Sequence, residues 1–163
     1  MEYELTKKAM LRLGKLLVSK YKEQLEADDT IATGNLRDSF RYKITGFDTN
    51  ILNLELLAAK YAKAIDEGRE PGSRKPGIRP IVEWMKAKGI KPNRGTTAKD
   101  YKSAAGSIAN FIGEKGTIKR FGYKGTNYLS IVAGQYGNPG VSTILQAYEQ
   151  DLRNEIDKGI KAQ

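Results

Sequence analysis

Apolar residues recur at intervals of three and four along the first stretch of the chain, at Leu5, Ala9, Leu13, Leu16, Leu17, Tyr21 and Leu25. That spacing gathers them on one face of an α-helix and predicts an amphipathic helix over residues 3–27. Gly14 interrupts the pattern at a cost of up to ~1 kcal/mol relative to alanine, which suggests that something packs close against it. Asp28-Asp29-Thr30 ends the helix, and Thr33-Gly34-Asn35 is a second break able to cap a short turn holding Leu36 and Arg37.

The period then changes to two. Phe40, Tyr42 and Ile44 alternate with Arg41 and Lys43, Asp48-Thr49-Asn50 turns the chain, and Leu52, Leu54 and Leu56 alternate with Asn53 and Glu55. The pattern predicts a hairpin with one buried face, which must rest on the first helix or on further strands because a lone hairpin is not stable. Helical spacing returns at Tyr61, Ala62 and Ile65 and runs into the loop from Gly68 to Gly77, with three cations and two prolines. Burying its unpaired charges would cost several kcal/mol each, so the loop is solvated or pressed against an acidic partner.

Pro80 fits the first turn of a helix carrying Ile81, Trp84 and Met85, and Gly89 fits the left-handed position that ends it. Lys91 to Asp100 has no period, and Tyr101 to Glu114 is helical again through Ala104, Ala105, Ile108, Phe111 and Ile112. Glycines 113, 116, 122 and 125 break up the next stretch of chain. Residues 134–140 read as a loop, and a last amphipathic helix runs from Val141 to Ile160. The expected fold is α+β, with a small antiparallel sheet flanked by the N-terminal helix and several further helices. It is expected as a single domain with a core over about 1–116 and a C-terminal extension over about 117–163 ending in a helix.

Composition mainly excludes. With no cysteine there are no disulfides or thiolate metal sites, and with no histidine there is neither an imidazole base nor the commonest metal ligand. No run of about 18 apolar residues exists, and the first 18 residues carry both signs of charge, so a soluble, unprocessed protein without a membrane span is expected. The net charge of +9 is uneven: residues 1–59 carry nine cations and nine anions, and residues 60–163 carry nineteen and ten. A field made by one part of the chain favours phosphate backbones or acidic protein surfaces.

Candidate chemistry is sparse. Lys115 to Lys124, with Lys119, Arg120, Phe121 and Tyr123, could meet phosphates and stack on bases, or be a glycine-rich loop anchored by aromatics. The adjacent acidic pairs Asp28-Asp29 and Asp66-Glu67 are simpler to explain as a helix end and as ion-pair partners of Lys63 and Arg69 than as catalytic carboxylates. The glycines form neither a dinucleotide fingerprint nor a P-loop. Trp84, beside Ile81 and Met85, is expected as a core anchor. Arg37, in a polar turn before a strand, suits either a bridge to a neighbouring subunit or a surface ion pair.

Thr33-Gly34-Asn35-Leu36-Arg37-Asp38-Ser39 resembles the TG-x-LR-x-S signature that precedes the first strand in bacteriophage tail-completion and head-tail joining proteins, the minor tail or neck proteins of long-tailed phages. Tyr61-Ala62 with Ile65, Glu67 and Gly68 is similar to that family's element after the second strand, and Pro80 to Ile90 to a helix of its longer members. The likeness spans about Leu5 to Gly116, in order and in spacing; beyond Gly116 the family offers no pattern.

The resemblance implies a non-enzymatic virion protein without metal or cofactor, assembled in the host cytoplasm as a homo-oligomeric ring of the neck or tail. Its neighbours would be portal, connector or tail-tube proteins, with sequence-independent contact to packaged DNA and none to membrane. Arg37, Arg69, Arg74, Lys75, Arg79, Lys119, Arg120 and Lys124 are the candidate residues facing a subunit or DNA. Two alternatives come from the residues themselves: a sequence-independent nucleic-acid-binding protein using Lys115 to Lys124, and a nuclease that holds its metal by carboxylates alone.

Overall fold

The computed structural model describes residues 3–28, 34–46, 51–117, 122 and 124–161. The chain is α+β, with a two-stranded antiparallel sheet among helices. It packs as two compact units, one built from Met1–Ala27, Arg37–Ala59 and Tyr128–Gln163 and the other from Asp28–Leu36 and Lys60–Asn127. Their boundaries do not follow chain order, because the chain from Tyr128 onward returns to the first helix.

In the first unit, helix α1 spans Glu4–Ala27 and buries Ala9, Leu13, Leu17, Tyr21 and Leu25 of the stripe its periodicity predicts, with Met10 added, while Leu5 and Leu16 of that stripe are exposed. The short helix α2, Asn35–Ser39, within which the chain enters the first unit at Arg37, leads into strand β1, Arg41–Thr45, which pairs with β2, Asn53–Leu57. Tyr42 lies opposite Leu56 and Ile44 opposite Leu54, while Lys43 opposes Glu55. Opposite charges facing each other across a pair help hold the register. The turn expected at Asp48-Thr49-Asn50 lies outside the described residues.

The hairpin rests on α1, and Gly14 explains why it can. A Cβ there would meet the Tyr42 ring at 2.6 Å, so the strand approaches only because the helix carries no side chain at that point. Next to it the Tyr21 and Phe40 rings stack with centroids 5.2 Å apart, and Tyr128 meets both edge-on at 6.2 and 6.1 Å. Such aromatic pairs each add roughly 0.5–1.5 kcal/mol beyond the area they bury.

Tyr128 opens helix α6, Tyr128–Val132, which passes through a π-helical turn at Ala133–Gly137 straight into α7, Asn138–Lys161. This corrects the loop expected over 134–140. Gly134, Gly137, Pro139 and Gly140 look like breakers, yet the helix runs through all four, with Pro139 in the first turn of α7 directly after the π turn. Gly140 lies where a Cβ would strike Leu13 of α1, so its lack of a side chain serves close helix packing rather than a turn.

The second unit holds α3, Ala62–Asp66, α4, Ile78–Ala87, and α5, Ala98–Lys115. Helices α4 and α5 form a hairpin around Ile81, Met85, Ala105 and Ala109. Pro80 stands in the first turn of α4 as expected. Gly89, at φ 66°, ends the helix while the Ile90 N–H reaches back to the Met85 carbonyl. Helix α5 begins earlier than its apolar period suggests because Thr97 and Asp100 form a reciprocal capping box. Trp84 corrects the expectation of a core anchor: it is 41% exposed, and the hairpin core closes through Met85 instead.

Candidate functional site

The cationic loop is tied down rather than loose. The Gly72 N–H donates to the Gly113 carbonyl at 2.8 Å, and Arg69 and Thr117 exchange two bonds of 2.9 Å. Gly116, at φ 71°, lets the chain pass against the Arg69 carbonyl, where any Cβ would collide. Within the loop an Arg69 guanidinium nitrogen donates to the Arg74 carbonyl at 2.9 Å, and Lys75 Nζ donates to Asn110 Oδ1 at 3.0 Å. Arg79 pairs one turn away with Glu83 at 2.9 Å, an exposed contact of small worth. Arg74 and Lys124 are exposed, and Lys119 and Arg120 lie outside the described residues.

Arg37 belongs to the other unit, so the structure does not bring it together with the loop cations within one packed body. Its guanidinium meets Asp38 at 2.8 and 3.3 Å and Glu26 at 3.2 Å. These partners fit the ion-pair alternative for Arg37.

Sequence reading passed over a denser group of cations in the second unit. Lys86, Lys88, Lys91, Arg94, Lys99 and Lys102 are all exposed around the connection between α4 and α5. Asp100, the sole acidic residue over 86–102, is engaged in capping α5. The Lys86 ammonium also lies 5.6 Å from the centre of the Tyr101 ring. Along α5 this tip is about 22 Å from the cationic loop, at 1.5 Å of rise per residue. Counted by unit, the second carries sixteen Lys/Arg against eight Asp/Glu, a net of +8, and the first carries twelve against eleven. The signal was the absence of acidic residues over 86–99, which a search for periodicity does not weigh.

The first unit shows a different kind of surface. Of the 24 residues of α7 only Asp151 is buried, while Val141, Leu145, Tyr148, Ile156 and Ile160 are exposed, Leu145 at 57% and Ile156 at 60%. Tyr148 stacks on Tyr3 at 5.7 Å. Helices α1 and α7 run antiparallel and frame a groove of about 470 Å³, floored by Leu5, Ala9, Leu13 and Leu16 of α1 and by Gly140 and Ala147 of α7. Lys8 and Arg12 line the same groove from α1.

Asp151 fixes the two helices to each other. Its carboxylate accepts the Leu5 N–H at 3.2 Å, the Thr6 N–H at 2.9 Å and the Thr6 hydroxyl at 2.7 Å. It thereby caps the start of α1, where backbone N–H groups lack helical partners and the helix dipole favours a negative charge. Burial pushes this carboxyl up, but the Thr6 bonds, the Leu5 bond and the nearby Lys7 outweigh it and hold Asp151 below the ordinary carboxylate range. So the buried acid of the first unit has a structural task.

Among the described residues no group of three acidic side chains is placed to hold a metal ion, and no helix is long and apolar enough to cross a membrane. Comparison of the chain with protein-family models, with curated proteins and with solved structures finds no match.

Proposed function

We propose that the chain is a non-enzymatic structural protein of a bacteriophage neck, one subunit of a ring that joins head to tail or completes the tail. The observation that carries this reading is the exposed apolar face of α7, since a protein that works alone seldom leaves such a contiguous stripe in water. The likeness of Thr33 to Ser39 and of Tyr61 to Gly68 to the phage family points the same way. Unequal charge gives each unit its own role: the nearly neutral one supplies contacts to protein, and the one at +8 meets packaged DNA or an acidic neighbour such as a portal, connector or tail-tube protein. No covalent chemistry, cofactor or membrane enters this role, and assembly takes place in the host cytoplasm.

Purified particles of the encoding phage should carry the protein at a fixed copy number. Without it, filled heads and tails should accumulate unjoined or unsealed. Infectious particles assembled in its absence would overturn the proposal. A second reading, a sequence-independent nucleic-acid binder, draws on the six cations at the α4–α5 tip. Tight binding of oligonucleotides at physiological salt would favour it, because a channel wall needs only weak, salt-sensitive attraction.

A further inference from the structure

We infer that neighbouring copies join head to tail, the outer ridge of α7 on one copy seating in the α1–α7 groove of the next. This rests on the ring reading above and specifies its contact.

Val141, Leu145, Leu152 and Ile156 fall within about 60° of one another at roughly 100° per residue, so they form one ridge along α7. Thr143 and Ala147, which line the groove, stand about 160° from Leu145 on the same helix. A copy therefore cannot fill its own groove with its own ridge, and the two surfaces face different ways. Surfaces arranged in this manner make a heterologous contact, which repeats from copy to copy and closes into a ring when the rotation allows.

Charge says which surface meets which. The charged residues of α7 nearest the ridge are acidic, Glu149 and Glu155 at about 50° and 70° from its centre, with the basic Arg153 next at about 90°. On the groove the charged residues are Lys8 and Arg12, both basic. Neither the two glutamates nor Lys8 and Arg12 have an ion-pair partner among the described residues, so their charges are available to a second copy. Ridge against ridge would instead set acid against acid. A ridge of four side chains is narrower than the ~800 Å² per partner of a stable complex, so a single contact is weak and the closed ring gains from repeating it.

The absence of cysteine makes the test clean. Leu145→Cys on the ridge and Arg12→Cys on the groove are each exposed, as are Val141→Cys and Lys8→Cys in a second pair. At high protein concentration, a short bismaleimide should link the ridge variant to the groove variant at least tenfold more than it links either to itself. A chain carrying both cysteines should give a ladder of dimers, trimers and larger species. Adding Glu149→Lys and Glu155→Lys to the ridge variant should cut the mixed product, and Lys8→Glu on its groove partner should restore it. Self-linking of the ridge variant alone, or no mixed product from either pair, overturns the head-to-tail contact. Those results leave the ring reading to be decided by copy number in particles, so the two can fail separately.

Discussion

Replacing Asp151 tests whether one carboxylate holds α1 and α7 together. Three donors converge on it at 2.7–3.2 Å, two of them N–H groups of the first turn of α1. Hydrogen bonds to a charged acceptor are worth roughly 1.5–3 kcal/mol, and loss of a helix cap costs about 0.5–2 kcal/mol. The three bonds share one acceptor and do not add, so Asp151→Ala should cost about 2–3 kcal/mol. At about 2–4 °C per kcal/mol for a chain of this size, calorimetry at pH 7 should show the melting temperature lowered by roughly 5–10 °C. Asp151→Asn keeps an acceptor but no charge and should lose about half as much.

The direction with pH follows from the lowered folded-state value. Because the carboxyl is a weaker base when folded, its contribution is present above its unfolded value of about 3.9 and is lost as pH falls through the depressed folded value. The gap between the parent protein and Asp151→Asn should hold from pH 7 to about 5 and close as pH drops below about 4. Melting of Asp151→Ala within about 2 °C of the parent at pH 7 would refute this role for the carboxylate, as would a gap that widens in acid.

Gly14→Ala places a methyl 2.6 Å from the Tyr42 ring, so it should destabilise by about 1–3 kcal/mol in chemical denaturation, although alanine is the better helix former. Thr97→Ala removes the capping box of α5 and should cost about 1 kcal/mol, with faster amide exchange at the start of that helix. Changing Lys91, Arg94, Lys99 and Lys102 to Ser touches exposed side chains, so the fold should survive within about 0.5 kcal/mol per site. If these cations meet phosphates, the slope of log affinity for duplex DNA against log salt should flatten by up to about 3.6; an unchanged slope places the DNA contact elsewhere.

Periodicity made α1, the hairpin and α4 legible: the helices bury one face between chemical stops such as Pro80 and Gly89, and the hairpin half-buries Tyr42, Ile44 and Leu54 while Leu56 stays exposed. It failed where small residues were read as breaks. Gly134, Gly137 and Gly140 signal a loop locally, yet the helix runs through all three; at Gly140 closeness to Leu13 of α1 decides the role, and no local pattern encodes that. Trp84 failed for the opposite reason: apolar neighbours on a helix do not say which side of it a hairpin partner will cover. Asp151 left a faint signal, a lone acid one turn after Ala147 on the face that meets α1. The cations of the α4–α5 tip were visible as composition without being visible as an element, since connections carry no period.

The π turn at Ala133–Gly137 bears on how this chain tolerates changes in length. Tyr128 and Val132 face the core before it, and Gly140, Ala147 and Asp151 face α1 after it. Carried through an unbroken α-helix, those two sets would point roughly 100° apart, too far to serve the same neighbour. A π turn holds about one residue more than an α turn, and that surplus rotates the second set back into line. Removing a single residue from 133–137 should therefore leave both faces in phase and yield a straight α-helix. The same deletion in α1 or in the middle of α7 would swing every later side chain by about 100° and strip the contacts beyond it. Length variation in the long final helix has one place where packing can absorb it.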